Sequence, residues 1–308
     1  MGKLSLLILS LFTSWIAGSA QPRKGDNSAD IHFTVPVKIH HRGGTSQKRT
    51  NRDTGKFYYD QTILKLPQSY TKSGKPTRLI YCAHGAGGGV TSDKWFLNNY
   101  ALIDTLLANG YAIFDVNGGE SVENMGGPMV VKSAFNAYLY IRKHYNIEKK
   151  IFVVGLSMGG LSSTNFIYHY PEIVLAQGLF SPVLDLYNQA WLHPWLPTTR
   201  QAIANVFKFK DLSGKTWEND KAAGWNPILK NITISGKDTL KSYPVPVKIW
   251  HGVGDAIVHE NFSGNFQKYI LNARGSCELH ELDSNNHGLS CGNPTINHEL
   301  MLFLRRME

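Results

Sequence analysis

Hydrophobic and polar positions along the chain follow two different periods. Short apolar runs of strand length alternate with segments in which apolar residues recur every three to four positions, as on one face of a helix. Because the two patterns alternate through most of the chain, they predict an α/β protein with a mostly parallel central sheet and helices on both faces. Strands are predicted at 32–39, 61–67, 78–83, 111–116, 151–154, 173–180, 245–250 and 278–282, and helices at 95–109, from 128, at 161–170 and at 295–305.

One long segment departs from this alternation. Residues 187–243 contain no predicted strand, although predicted strands lie on either side. An insertion of this length with its own aromatic residues is typical of a lid over a binding site. We therefore predict a helical lid insertion at about 187–243, with the alternative that its tryptophans only form a small core of the insertion. Four of the seven tryptophans lie in it: Trp191, Trp195, Trp217 and Trp225.

The first twenty residues have the composition of a targeting segment. Lys3 precedes an apolar stretch without formal charge, Leu4–Ala17, and small residues then lead to Gln21. A charge, an apolar core and small residues in this order are typical of a secretory signal peptide. The apolar stretch is shorter than the roughly 20 residues that span a bilayer, although an uncleaved anchor is the alternative. We predict a signal peptide at 1–20, a secreted or periplasmic protein, and a single domain over 21–308.

The motif with the clearest chemistry is Gly155-Leu156-Ser157-Met158-Gly159. It follows the predicted strand 151–154 and precedes a predicted helix, which is the strand–turn–helix context that G-x-S-x-G requires. Glycines are needed there because the turn is strained and the chain packs tightly around the serine. The motif predicts that Ser157 stands at the carboxyl end of a strand as a nucleophile.

A second glycine-rich loop, His84-Gly85-Ala86-Gly87-Gly88-Gly89, follows the strand that ends at Ala83. Such small side chains let backbone N–H groups approach a substrate oxygen, where they stabilise the negative charge of a tetrahedral intermediate. A phosphate-binding loop is the alternative. No Lys-Ser or Lys-Thr pair follows the glycines, and their order fits a dinucleotide-binding loop poorly, which disfavours that alternative.

A serine nucleophile needs a base, and the base needs an acid that orients it. Asp255 follows the predicted strand 245–250, and His287 follows the last predicted strand. The order Ser157, Asp255, His287 is the nucleophile–acid–base order of hydrolases with this strand–turn–helix motif. Asp185 is the alternative acid, and the histidines at 84 and 251 are expected to brace loops.

Together, these motifs resemble those of serine esterases of the α/β-hydrolase superfamily, near its esterase and depolymerase branches. The resemblance covers roughly residues 58–305. It implies an α/β-hydrolase fold and a triad in which Ser157 attacks, His287 is the base and Asp255 is its partner. It also implies an oxyanion hole made by the backbone N–H groups of Met158 and of Ala86 or Gly87.

The resemblance does not define a substrate. We expect an exported hydrolase of carboxylic esters, either small esters or acyl groups linked to a polymer such as a polysaccharide. A lipase or a peptidase of the same fold is an alternative, but the related peptidases usually carry a further large domain for which this chain has no room. A catalytically inactive binding relative is the alternative outside enzymes, because a fold alone does not prove activity.

Composition and charge exclude few classes of binding partner. The 308 residues are 42% hydrophobic and 18% charged, which excludes a disordered chain. The formal charge of +9 leaves adhesion to an anionic surface open, whereas no motif supports nucleic-acid binding. No Cys/His cluster has metal-ligand spacing, so we predict no metal and no cofactor, and no later segment is long and apolar enough for a transmembrane helix.

The chain has three cysteines. Cys277 and Cys291 lie on either side of the last predicted strand and the His287 loop. In an exported protein this placement predicts a disulfide that would hold His287 in place. Cys82 lies within an apolar strand and is expected to be a buried thiol.

Overall fold

The computed structural model of the chain describes residues 30–38, 57–90, 101–119, 123–192, 197–209, 223–228, 243–287 and 289–308. The predicted signal peptide at 1–20 lies outside these residues, as does the first part of the helix predicted at 95–109. Within the described ranges, no helix is long and apolar enough to cross a membrane.

Eight strands in the described residues form one sheet with the order β1-β2-β4-β3-β5-β6-β7-β8. Strand β2 pairs with β1 and β4 in antiparallel fashion, and every other pairing is parallel. The prediction of a mostly parallel sheet is therefore confirmed. The strands are β1 (Ile31–Lys38), β2 (Phe57–Lys65), β3 (Leu79–Ala83), β4 (Ala112–Val116), β5 (Ile151–Leu156), β6 (Val174–Phe180), β7 (Val247–Gly252) and β8 (Cys277–Leu282).

Helices connect the parallel strands and lie on both faces of the sheet, as predicted. Among the described helices, α6 (Asn261–Asn272) and the short α7 (Leu289–Gly292) have no counterpart in the sequence prediction, although Phe262, Phe266 and Ile270 of α6 recur every four residues and are all buried. The helices are α1 (Ala101–Ala108), α2 (Pro128–His144), α3 (Gly159–His169), α4 (Leu186–Leu192), α5 (Pro197–Phe207), α6 (Asn261–Asn272), α7 (Leu289–Gly292) and α8 (Pro294–Arg306).

Two apolar layers hold the helices against the sheet. Alternate residues of each buried strand point to opposite faces, so Tyr81 of β3 packs with α2, α3 and α6, whereas its neighbour Ile80 packs with α1 and α8. The six residues of β5 are all buried. Such continuously apolar strands are typical of a parallel sheet that is covered on both faces.

The described part of the predicted insertion is helical. It comprises α4, α5 and a 3₁₀ turn at Ala223–Trp225. The carboxylate of Asp185 joins α4 to the residue after this turn, because it accepts hydrogen bonds from Asn188 and Asn226. The Trp225 ring stacks on His169 at 4.7 Å. The side chains of Trp191, Trp195 and Trp217 lie outside the described residues. Whether the insertion is a lid or a small separate core therefore stays a prediction.

The predicted disulfide between Cys277 and Cys291 is wrong. All three cysteines lie in the described residues and are thiols. Cys277 packs in the layer that holds α6, whereas Cys291 packs in the layer that holds α1 and α8. The two thiols are thus buried on opposite faces of the sheet, and proximity in sequence to the same loop does not bring them together.

A thiol titration tests this arrangement. Cys82, Cys277 and Cys291 are buried, and burial raises the pKa of the Cys277 thiol to about 12. A buried thiol with a raised pKa presents little thiolate, which is the form that reacts. We expect no fast reaction of the native protein with Ellman's reagent and three thiols per chain in denaturant. One thiol in denaturant would contradict the structure and restore the disulfide.

Candidate active site

Ser157 lies in a strained turn between β5 and α3. Its φ of +52° is in the left-handed region, which costs a non-glycine residue energy and persists only where the surroundings impose it. The flanking glycines are required by space. A Cβ on Gly159 would lie 2.0 Å from the carbonyl oxygen of Ala83, and one on Gly155 would lie 2.5 Å from that of Gly159.

Backbone hydrogen bonds fix this turn to the next strand. The Ser157 N–H donates to the carbonyl of Phe180 at 3.0 Å, and the Ser157 carbonyl accepts from Val183 at 2.8 Å and from Gly160 at 2.9 Å. The serine side chain is only partly buried. The geometry predicted for the G-x-S-x-G motif is therefore present, with the hydroxyl at the carboxyl edge of the sheet.

Asp255 and His287 form a hydrogen-bonded pair. Asp255 Oδ2 lies 2.7 Å from His287 Nδ1, while Oδ1 accepts the N–H groups of Ile257 and Val258. Burial opposes ionisation of Asp255, but hydrogen bonds from His251 and His287 outweigh it and hold the pKa of the carboxyl well below its usual range. The carboxylate thus accepts the Nδ1 proton of His287 and leaves Nε2 available as a base.

The topology brings Ser157, Asp255 and His287 to one edge of the sheet. They follow β5, β7 and β8, which run parallel with β6 between them, so all three stand beyond carboxyl ends of strands. No hydrogen bond joins the Ser157 hydroxyl to His287 among the described residues. In enzymes without bound substrate, such contacts are often long and tighten only in the complex.

Asp185, the alternative acid, is used elsewhere. Its carboxylate caps the start of α4 and holds Asn226, and these contacts occupy both of its oxygens. It makes no contact with His287, whereas Asp255 does. Of the two candidate acids, Asp255 is therefore the one that contacts His287.

The candidate oxyanion donors differ in their hydrogen bonds. Within the described residues, the backbone N–H groups of Ala86 and Met158 have no acceptor. Both are therefore available to donate to a substrate oxygen. The N–H of Gly87, by contrast, donates to the carboxylate of Glu123 at 3.1 Å. A Cβ on Gly85 would lie 3.4 Å from the Cβ of Ser157, so this loop passes directly beside the nucleophile.

His84 braces the oxyanion loop, as predicted. Its Nδ1 lies 2.9 Å from Oδ2 of the fully buried Asp115 on β4. Asn124 Oδ1 accepts from Gly126 and Ser162, so its amide nitrogen is the atom that faces His84 Nε2 at 3.5 Å. Because an amide nitrogen only donates, His84 Nε2 accepts, and Nδ1 carries the proton given to Asp115.

His251 likewise braces the acid loop. Its Nε2 lies 2.9 Å from the carbonyl of Val258 and 3.5 Å from Asp255, and its Nδ1 lies 2.7 Å from the hydroxyl of Ser263 on α6. The side chain is completely buried. Its contacts fix the loop that holds Asp255, which is the bracing role expected from the sequence.

The insertion packs on the apolar side of these loops. Met158, Val258 and Ala86 belong to the same apolar cluster as α4 and α5. Gln189 of α4 also donates a hydrogen bond to the carbonyl of Ile257 at 2.8 Å. The insertion helices α4 and α5 therefore pack against residues next to Ser157, next to Asp255 and within the glycine-rich loop 84–89.

No group of three or more metal-ligating side chains occurs in the described ranges.

Comparison with known families identifies one segment. Residues 138–229 match the family model described as "putative esterase", and this segment contains Ser157 and the start of the insertion. No curated protein matches the chain.

Solved structures resemble the chain over most of its length. The acylaminoacyl peptidase of Pyrococcus horikoshii matches with a TM-score of 0.63 and 15% identity, over 92% of this chain and 42% of the peptidase. The fluorophosphonate-binding serine hydrolase F of Staphylococcus aureus matches with 0.62 and 16%, over 90% and 98%. Est1E from Butyrivibrio proteoclasticus matches with 0.54 and 16%, over 81% and 94%.

At these identities the likeness establishes the fold. The chain has the α/β-hydrolase fold, and the fold expected from the resemblance in its sequence is confirmed. The segment around the nucleophile matches an esterase family. The chain spans less than half the length of the peptidase but nearly all of the two other hydrolases.

Proposed function

We propose that the chain is a serine hydrolase that cleaves carboxylic esters through Ser157, His287 and Asp255. The observation that carries the proposal is the Asp255–His287 hydrogen bond of 2.7 Å, formed at the edge of the sheet where the strained Ser157 stands. A structural role alone does not require a serine held at positive φ beside two backbone N–H groups, those of Ala86 and Met158, that have no acceptor in the described part of the chain.

In the first half of the proposed reaction, His287 Nε2 takes the proton of the Ser157 hydroxyl as its oxygen attacks the ester carbonyl. The carbonyl oxygen becomes negative and is stabilised by the N–H groups of Met158 and the oxyanion loop. Asp255 holds the imidazole in the correct tautomer and stabilises its positive charge. His287 then gives the proton to the departing alcohol, which leaves an acyl-serine.

In the second half, water attacks the acyl-serine. His287 takes a proton from the water, a second tetrahedral intermediate forms in the same oxyanion hole, and the proton returns to Ser157 as the acid leaves. Both half-reactions take place beside the insertion, which packs on Met158 and Val258 and donates the Gln189 hydrogen bond to the Ile257 carbonyl.

One comparison favours an ester over a peptide as the substrate. The family model that matches residues 138–229, the segment that contains Ser157, is that of an esterase. We further propose that the protein is exported and acts on small or polymer-linked esters, with a lipase, a peptidase or an inactive binding protein as the alternatives.

A substrate panel tests the proposal. The purified protein is assayed on p-nitrophenyl esters from acetyl to long acyl, on acetylated and feruloylated polysaccharide, and on a dipeptide anilide, with the Ser157→Ala variant as the blank. We expect hydrolysis of at least one ester class and none of the anilide. Cleavage of the anilide with no ester turned over would replace the esterase by a peptidase, and no turnover of any substrate would favour the binding protein.

A further inference from the structure

Glu123 contacts the oxyanion loop directly, and no motif in the sequence pointed to it. Its carboxylate accepts the N–H of Gly87 at 3.1 Å. Gly87 has a φ of +76°, and a Cβ there would meet nothing within 4 Å, so one side of this residue faces open space. A turn with such freedom needs an outside contact to hold one conformation.

Described residues before and after Glu123 are held by side-chain hydrogen bonds. Gly118 and Gly119, which follow β4, donate their N–H groups to the buried carboxylate of Asp60 at 2.9 and 3.2 Å. Asn124, the neighbour of Glu123, accepts the hydroxyl of Ser162 at 2.7 Å and thereby attaches to the first turn of α3. The carboxylate that holds Gly87 is thus anchored to the same helix that begins just after the nucleophile.

The hydrogen bond to Glu123 also favours Ala86 over Gly87 as the loop's oxyanion donor. A backbone N–H that already donates to a carboxylate must break that bond before it can reach a substrate oxygen, whereas the N–H of Ala86 has no acceptor among the described residues. Burial raises the pKa of Glu123, and the Gly87 N–H partly offsets this by stabilising the ionised form. The contact joins the backbone N–H of Gly87 directly to a side-chain oxygen of Glu123.

We propose that Glu123 is a positioning residue for the oxyanion hole: by holding the Gly87 N–H, it orients the loop so that Ala86, with Met158, donates to the substrate oxygen. The inference rests on the proposed function and names the donors for that reaction. Glu123 does not touch the reacting atoms. Its carboxylate also places a negative charge near the developing oxyanion, so the hydrogen bond and the charge act in opposite directions on the rate.

Two substitutions separate the hydrogen bond from the charge. Glu123→Gln keeps an oxygen acceptor for Gly87 and removes the charge, so kcat is expected to stay within about threefold of wild type or to rise. Glu123→Ala removes the acceptor, and kcat is expected to fall about 10- to 100-fold with little change in KM, because a misplaced oxyanion donor costs mainly transition-state stabilisation. Glu172→Ala is the matched control, since Glu172 is exposed at the amino end of β6, at the opposite edge of the sheet.

Two further readouts distinguish positioning from loss of fold. A trifluoromethyl ketone forms a tetrahedral adduct with an active serine, and its inhibition constant should rise in Glu123→Ala in parallel with the fall in kcat/KM, while the thermal midpoint stays near that of Glu172→Ala. Amide hydrogen exchange in the peptide 84–90 should be faster in Glu123→Ala than in wild type and slow again in Glu123→Gln.

The proposal is overturned if Glu123→Ala matches wild type in kcat and in exchange at 84–90, or if Glu123→Gln is as impaired as Glu123→Ala. The proposed function fails by a different result, namely ester turnover that survives in Ser157→Ala. Because hydrogen exchange requires no turnover, it tests the contact between Glu123 and the loop even in that case.

Discussion

Replacement of Ser157 by alanine is expected to lower kcat for esters by about 10⁶-fold, the loss seen when the nucleophile of a comparable triad is removed. Ser157 is the residue that stands at positive φ in this turn, and the flanking Gly155 and Gly159 have no space for a Cβ. Little change in stability is expected. Alanine and serine pay a similar cost at a φ of +52°, and the side chain has no hydrogen bond to lose among the described residues.

A fluorophosphonate probe provides the second measurement, since it bonds covalently to activated serines. Wild type should be labelled on the peptide that contains Ser157, and Ser157→Ala should not be labelled. Ser276→Ala is the matched control, because Ser276 is exposed at the amino end of β8, away from the site. Retained turnover in Ser157→Ala, or labelling on another serine, would remove Ser157 from the mechanism.

The sheet was predictable from the sequence because each parallel strand is a continuous apolar run. Every residue of β3 and β5 is buried, because helices cover both faces of the sheet. The two strands therefore lack the alternation of polar and apolar residues that a half-exposed strand shows. Helix α6 was harder to recognise. Its segment contains Gly264, and glycine is a poor helix former. Its buried apolar residues, Phe262, Phe266 and Ile270, form a single row along the helix.

The triad was predictable for a topological reason. Carboxyl ends of parallel strands share one edge, so Ser157, Asp255 and His287, the first, third and fifth residues after β5, β7 and β8, converge although 130 positions separate Ser157 from His287. The supports of the site had no such signal. Glu123 and Asn124 follow β4 by several residues, and their partners are backbone groups and a buried histidine that no local pattern reveals.

The disulfide prediction was wrong because the side of the sheet on which a residue lies cannot be predicted from its position in the sequence alone. The prediction used sequence proximity to the His287 loop, but residues on either side of an edge strand can point to either face of the sheet. Cys277 is the first residue of β8 and faces the α6 layer, while Cys291 follows the loop onto the opposite layer. Only the register of β8 with β7 and the path of the chain after it decide between the faces, and neither is encoded in cysteine spacing.

Asp255→Asn is expected to lower kcat by about 10⁴-fold while the fold is kept. The asparagine oxygen still accepts the N–H groups of Ile257 and Val258, but its amide nitrogen then faces His287 Nδ1 and donates to it. Nε2 of the neutral imidazole would carry the proton and could no longer accept the one from Ser157. The measurement is the pH dependence of kcat/KM together with fluorophosphonate labelling, and both should be strongly reduced at neutral pH.

The same substitution changes how stability depends on pH. Burial raises the pKa of Asp255, but hydrogen bonds from His251 and His287 lower it further, so the folded value lies below that of the unfolded chain. The ionised carboxylate therefore stabilises the fold above the unfolded pKa of about 3.9, and this contribution is lost as the pH falls through the folded pKa. Acid unfolding of wild type should contain this loss, and that of Asp255→Asn should lack it.

Asp185→Asn is the matched control for this acid. Its carboxylate holds Asn188 and Asn226 at the start of the insertion, so the amide should weaken those contacts and lower the thermal midpoint. It has no contact with His287, and kcat should remain within a few-fold of wild type. If Asp185→Asn instead loses activity while Asp255→Asn keeps it, the orienting acid belongs to β6 and the insertion, and the 2.7 Å pair of Asp255 with His287 is structural.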